Sequence, residues 1–87
     1  MLDKTDHNES PSNVEARPLR DIRNWRRLTM RGLAQHAGVA PSTIYMIEAG
    51  RSTPHLSVVR RIAEVLDVDA QAIIEFRLAI RAYGGLR

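Results

Sequence analysis

Residues 29–50 read TMRGLAQHAGVAPSTIYMIEAG, and this stretch decides the fold. Met30, Leu33, Ala34 and Ala37 fall at i, i+3, i+4 and i+7, one face of a helix that Thr29 is suited to cap. Gly38 follows directly, at the position where helices commonly end on a left-handed residue. Ala40 precedes a proline and is biased to extended backbone. Pro41 fits the first turn of the next helix, where its missing N–H costs nothing. That helix turns Ile44 and Ile47 inward, leaves Ser42, Thr43, Tyr45 and Met46 outward, and stops at Gly50. Ala34 is small where the following helix crosses it, and Val39 fills the angle between the two.

Working outward, every flanking segment past residue 17 also reads as a short helix. The first runs from about Pro18 to Arg27 with Leu19 and Ile22 on one face. Arg51–Pro54 is a loop, and a fourth helix runs from about Leu56 to Leu66 with Leu56, Val59, Ile62, Ala63 and Leu66 inward. Asp69 is placed to cap a fifth, extended helix reaching about Tyr83, ended by Gly84 and Gly85. No segment alternates apolar and polar residues long enough to form a strand. The fold class is therefore all-α, five helices over residues 18–87. Residues 1–17 are polar, too poor in large apolar side chains to offset their ordering entropy, and are expected to be a flexible arm.

Composition narrows the function. In 87 residues there is no cysteine, which excludes a disulfide framework, a thiolate metal site and a cysteine nucleophile. No apolar run approaches the ~18 residues that span a bilayer, and the start MLDKTDHNES lacks the apolar stretch of a secretory signal. A cytoplasmic location is expected. His7, His36 and His55 are far apart without carboxylates at ligand spacing, so no metal and no cofactor is expected, and no catalytic constellation points to an enzyme.

The net charge of +3 is uneven. Residues 1–17 hold Asp3, Asp6, Glu9 and Glu15 against Lys4 and Arg17, a net −2, so the remainder carries +5. Arg17, Arg20, Arg23, Arg26, Arg27 and Arg31 crowd one stretch, opposed only by Asp21. A basic body suits an anionic partner, most often nucleic acid; charge alone leaves a merely solvated basic face equally open.

Two short helices joined at a glycine turn are a helix-turn-helix signature. Across Leu19 to about Ile74 the chain resembles the Xre family of phage-repressor-like helix-turn-helix regulators, through LRDIR, LT, LAQHAGV, STIYMIEAGRSTP and IAEVLDV in order. The resemblance implies a compact five-helix repressor-like domain that binds double-stranded DNA with the third helix, about 41–49, in the major groove. Pro41, Ser42, Thr43 and Met46 would then face bases, with Tyr45 at the side. The start of the second helix at Thr29 and Met30 would sit over a phosphate, with Arg31 beside it and Arg51 and Ser52 on the next backbone segment. A family ion pair maps onto Arg23 and Glu48.

The sequence departs from that family in ways that bear on function. Met30 stands where glutamine is common, Gly32 removes a capping box with Thr29, and Arg27 replaces a helix-ending glycine. The outward face of the third helix has no Arg, Lys, Gln or Asn, the side chains that read guanine and adenine edges bidentately. Base readout should be weak, and arginine–phosphate anchoring should supply much of the affinity. The alternative for Tyr45 and Met46, beside DNA contact, is an exposed apolar spot that packs on a partner protein. Trp25 reads as a half-buried packing residue, and Arg26 and Arg27 as either phosphate contacts or solvated charges.

The fifth helix carries two apolar stripes, one of Ile73, Phe76, Ile80 and Tyr83 and one of Ile74 and Leu78 with Ala70 and Ala82; the resemblance places Ile73 in the core, so the second stripe needs another partner. A two-fold homodimer through Ile74, Leu78 and Ala82 is expected; the alternative is a helix that covers more of its own core. The functional expectation is a DNA-binding transcriptional regulator, a repressor. The alternatives are an antitoxin, with a toxin as protein partner, and an interaction module on the same fold without DNA binding.

Overall fold

The computed structural model describes residues 16–84. It contains α1 (Leu19–Trp25), α2 (Met30–Ala37), α3 (Pro41–Glu48), α4 (Leu56–Leu66) and α5 (Ile74–Ala82), with a short 3₁₀ turn, Ala70–Ala72, before α5. The described residues form an all-α domain; their only β-type pairing is an isolated parallel bridge between Arg17 and Ile73. The expectation for the polar arm falls on residues outside the described range, apart from Ala16 and Arg17.

The first four helices all end in one hydrogen-bond pattern, in which the N–H of a left-handed residue and the N–H of the residue after it reach back to orphaned carbonyls. In α2 Gly38 (φ 73) does this, with Val39 N–H on the Ala34 carbonyl at 3.0 Å. In α3 Gly50 (φ 70) does it, with Arg51 N–H on the Met46 carbonyl at 2.9 Å. The other two ends use residues with a Cβ, Arg27 (φ 62) and Asp67 (φ 56), at a cost of roughly 1–2 kcal/mol each. The bonds Leu28 N–H to Arg23 O (3.0 Å) and Val68 N–H to Ala63 O (3.1 Å) offset part of that cost. This turn makes α1 stop at Trp25, two residues short of the expected Arg27.

Arginines complete the carbonyl accounting. Arg26 Nε donates to the Leu66 carbonyl at 2.7 Å, with a second nitrogen 3.3 Å from Asp67 O, so it caps the C-terminus of α4. Arg61 reaches the Ala37 and Gly38 carbonyls at 3.4 Å, at the end of α2. A cation at a helix C-terminus also meets the favourable end of the dipole. Neither reading of Arg26, phosphate contact or solvated charge, included this capping role. Arg26 also lies over the Trp25 ring, 4.7 Å from its centroid, which leaves Trp25 43% exposed.

The core is aliphatic around one ring. Leu19 and Ile22 from α1, Leu33 from α2, Ile44 and Ile47 from α3, Ile62 and Leu66 from α4 and Phe76 from α5 are all essentially inaccessible. α4 packs against both α2 and α5, and α2 against α3.

The fifth helix differs from expectation. Asp69 caps only the 3₁₀ turn, accepting from Gln71 N–H at 2.8 Å. Ile73 is then extended (φ −108, ψ 119), fully buried, and breaks the helix. Arg17 is the reason: its N–H donates to Ala72 O and its carbonyl accepts from Ile74 N–H, both at 2.9 Å. A helix continuing through Ile73 would claim those same backbone groups. The chain entering α1 is tied here a second time, because Glu75 Oε1 accepts from Leu19 N–H at 2.8 Å and so caps α1, which Pro18 cannot do. Ala70, placed on the outward stripe by periodicity, is buried by this break. Tyr83, placed on the core stripe, lies past the helix end, exposed and stacked on His55 at a centroid separation of 6.0 Å.

Candidate nucleic-acid interface

Helix α2 begins with Thr29 in extended backbone, its hydroxyl accepting from Gly32 N–H at 2.9 Å. Leu33 N–H bonds the Thr29 carbonyl at 2.9 Å. The N–H groups of Met30 and Arg31 have no partner among the described residues, the usual state of a helix's first turn, and this end of the helix attracts anions. Gly32 has a local role here beyond its helix cost. A Cβ at this position would lie 3.2 Å from the Thr29 hydroxyl oxygen, so glycine keeps the cap uncrowded.

Helix α3 starts with Pro41 at its first position behind an extended Ala40. Ile44 and Ile47 are buried against the core, which fixes the helix's rotation. Pro41, Ser42 and Tyr45 are exposed, and Thr43 and Met46 are partly so. Thr43 N–H is bonded to Ala40 O at 2.9 Å, so on this face the hydroxyls of Ser42, Thr43 and Tyr45 are the side-chain hydrogen-bonding groups. The left-handed turn at Gly50 then holds the backbone of Arg51 while its side chain, with Ser52, remains exposed.

The end of α3 is anchored from below. Arg23 Nε and its terminal nitrogen meet the two carboxylate oxygens of Glu48 at 2.7 and 3.1 Å, a bidentate pair. The side chains are 9% and 6% exposed. A third Arg23 nitrogen donates to the Leu28 carbonyl at 2.9 Å and contacts Asn24 Oδ1 at 3.3 Å. The pair thereby joins α1, the α1–α2 link and the last turn of α3. Every charged group in it is hydrogen-bonded, the condition for burying charge.

These residues form one continuous exposed surface only in part. Thr29, Met30 and Arg31 lie at the start of α2, and Arg51 and Ser52 beyond the end of α3. Met30 and Tyr45 meet across an open groove that also touches Arg20, Glu48 and Ala49. Ile74 and Leu78, on α5, are exposed large apolar residues at 43% and 62%, with Ala82 exposed one turn on. The Glu75 cap on α1 went unread in the sequence because a cap supplied from 56 positions away leaves no local signature. Among the described residues no three His, Asp or Glu gather as metal ligands, and no helix is long and apolar enough to cross a membrane.

Residues 16–75 match the sequence profile of a helix-turn-helix domain, well over half of the chain. The chain is also 35% identical over 66 residues to RghRB of Bacillus subtilis (strain 168), described as an uncharacterized helix-turn-helix-type transcriptional regulator. That alignment covers 75% of this chain and 48% of RghRB, so the chain spans about half the length of the relative it matches. With α2, the Gly38 turn and α3 in place inside the matched region, the chain belongs to the helix-turn-helix domain family.

Proposed function

We propose that this protein is a cytoplasmic, double-stranded-DNA-binding transcriptional regulator acting as a repressor, with α3 entering the major groove. One observation carries the reading: the outward face of α3 is exposed at Pro41, Ser42 and Tyr45, the first residue of α2 meets Tyr45 across an open groove, and Arg51 just past α3 is exposed. In this arrangement Pro41, Ser42, Thr43 and Met46 face the bases, with Tyr45 at the edge. Thr29, Met30 and Arg31 hold one phosphate and Arg51 and Ser52 the next. Hydroxyls read base pairs ambiguously, and the Thr43 methyl and Met46 suit a thymine methyl, so base discrimination is modest and the arginines supply the anchoring.

The test is binding to mixed-sequence duplex over a salt series. The binding constant is expected to fall steeply as salt rises, and Arg51→Ala to weaken binding to all sequences alike and flatten the slope by about 0.9. Thr43→Ala is expected to change affinity without changing the slope. Absence of binding at low salt overturns this reading. It would favour an interaction module on the same fold without DNA binding, for which the face of α3, free of amide and guanidinium groups, is the supporting observation.

The same reading includes a homodimer through Ile74, Leu78 and Ala82. Two of these are among the most exposed large apolar side chains, on a helix whose opposite face already fills the core. A two-fold pair would present two recognition helices about 34 Å apart to a palindromic site. Sedimentation is expected to give a concentration-dependent dimer that Leu78→Glu abolishes; a monomer at high concentration, with or without DNA, removes the dimer.

A further inference from the structure

An open groove of about 330 Å³ runs between α1, the first residue of α2 and the last turns of α3, lined by Arg20, Met30, Tyr45, Glu48 and Ala49. None of these but Met30 and Tyr45 entered the DNA-facing assignment above. We propose that the groove is a further backbone-phosphate site, in which the Arg20 guanidinium and the Tyr45 hydroxyl hold one phosphodiester. This rests on the DNA-binding reading and extends it from α2 and α3 onto α1.

The chemistry follows from which groups are already engaged. Arg23, Arg26, Arg61 and Arg77 each donate to carbonyls, and Arg23 also to a carboxylate. Arg20 is exposed and has no side-chain partner among the described residues. The one acid lining the groove, Glu48, has both oxygens held by Arg23. It therefore offers little acceptor capacity to Arg20, and its charge is balanced by its partner. What remains facing solvent is the Arg20 cation and a phenol, 51% exposed as a residue, that can donate. Donors without a competing acceptor suit a phosphate oxygen, and guanidinium is the side chain best matched to one.

Shape and position agree with this. Met30 and Ala49 give the groove apolar patches against which a deoxyribose can rest. Met30 is also the first residue of α2, whose free N–H groups suit an anion, so the groove adjoins the phosphate position proposed at that helix start. Tyr45 accordingly contacts the backbone and not a base edge. That removes one more reader from α3 and makes the interface more dependent on positioning contacts, which carry no sequence information.

The experiment uses the full chain and a fluorescent mixed-sequence 30-bp duplex, with affinity measured across a salt series. Arg20→Ala is expected to weaken binding several-fold at low salt and to reduce the salt slope by about 0.9, one phosphate neutralised. Arg20→Lys, which keeps the charge, is expected to retain the slope. Tyr45→Phe, which keeps the ring, is expected to weaken binding with the slope unchanged and with the same loss on two unrelated duplexes. Thermal midpoints of all three variants should match the wild type, since both side chains are exposed. If the wild type binds and Arg20→Ala keeps its slope and affinity, the groove is not a phosphate site while the DNA reading stands. If Tyr45→Phe alters the preference between the two duplexes, Tyr45 reads bases and the assignment is overturned. If the wild type binds no duplex at low salt, both readings fall together.

Discussion

Replacing Glu48 by alanine is expected to lower the unfolding free energy by roughly 3–5 kcal/mol, a large part of the 5–15 kcal/mol typical of a small domain. The carboxylate is 6% exposed and meets Arg23 through two bonds, 2.7 and 3.1 Å long. Its loss leaves a guanidinium that is 9% exposed with only the Leu28 carbonyl and the Asn24 side chain as partners. The penalty is the stranded charge and not the intrinsic worth of the pair, because desolvation of both groups cancels much of their attraction. The double variant Arg23→Met/Glu48→Leu therefore recovers most of the loss, which distinguishes a stranded charge from a lost contact. Urea denaturation of the single and double variants measures both. A loss below about 0.5 kcal/mol for Glu48→Ala would place the pair in the class of solvated surface charges. The pair's hydrogen-bonding groups are engaged with one another and not with DNA in the proposed complex. It fixes the last turn of α3 to α1, so affinity measured on the folded fraction should change less than stability does.

Phe76→Ala is expected to cost roughly 3–5 kcal/mol, through lost burial and the cavity left behind. Phe76 is the largest fully buried side chain of the domain, carried on a helix of nine residues. No other aromatic ring is fully buried among the described residues, so none stands ready to fill the space with comparable volume. Leu78, two positions along the same helix and 62% exposed, provides the internal comparison. Leu78→Ala should change monomer stability by no more than about 0.5 kcal/mol. Thermal unfolding of the two variants under conditions that hold the protein monomeric separates the faces of α5. Equal losses would mean that the helix is rotated from the position described here.

Much of the fold was legible because short-range rules carry it. The spacing of Leu33, Ala34 and Ala37, the glycine turn and Pro41 define α2 and α3 within a window of 22 residues, and the observed bounds follow them. Helix α4 was equally readable from Leu56 to Leu66. The misreading at the start of the fifth helix has a long-range cause. Asp69 looked like the cap of a continuous helix. Local propensity has no knowledge of Arg17, whose backbone takes the hydrogen bonds that would have carried the helix through Ile73. The same holds for Arg26: its neighbours in sequence are Trp25 and Arg27, whereas its partner is a helix end 40 residues away.

The candidate site divides in the same way. Which residues stand outward on α3, and that they include no bidentate base readers, follow from the period of a helix and the residue types alone. The arginine cluster of residues 17–31 was visible as charge, but charge counting treats its members as equivalent. Tertiary structure separates them: Arg23 is buried on Glu48, Arg26 caps α4, Arg17 pairs through its backbone with the entry to α5, and Arg20 borders an open groove. A side chain's task depends on which donors and acceptors remain unclaimed around it. Periodicity and caps are local and can be read along the chain, whereas the sharing of hydrogen bonds between distant helix ends is settled only when the helices pack.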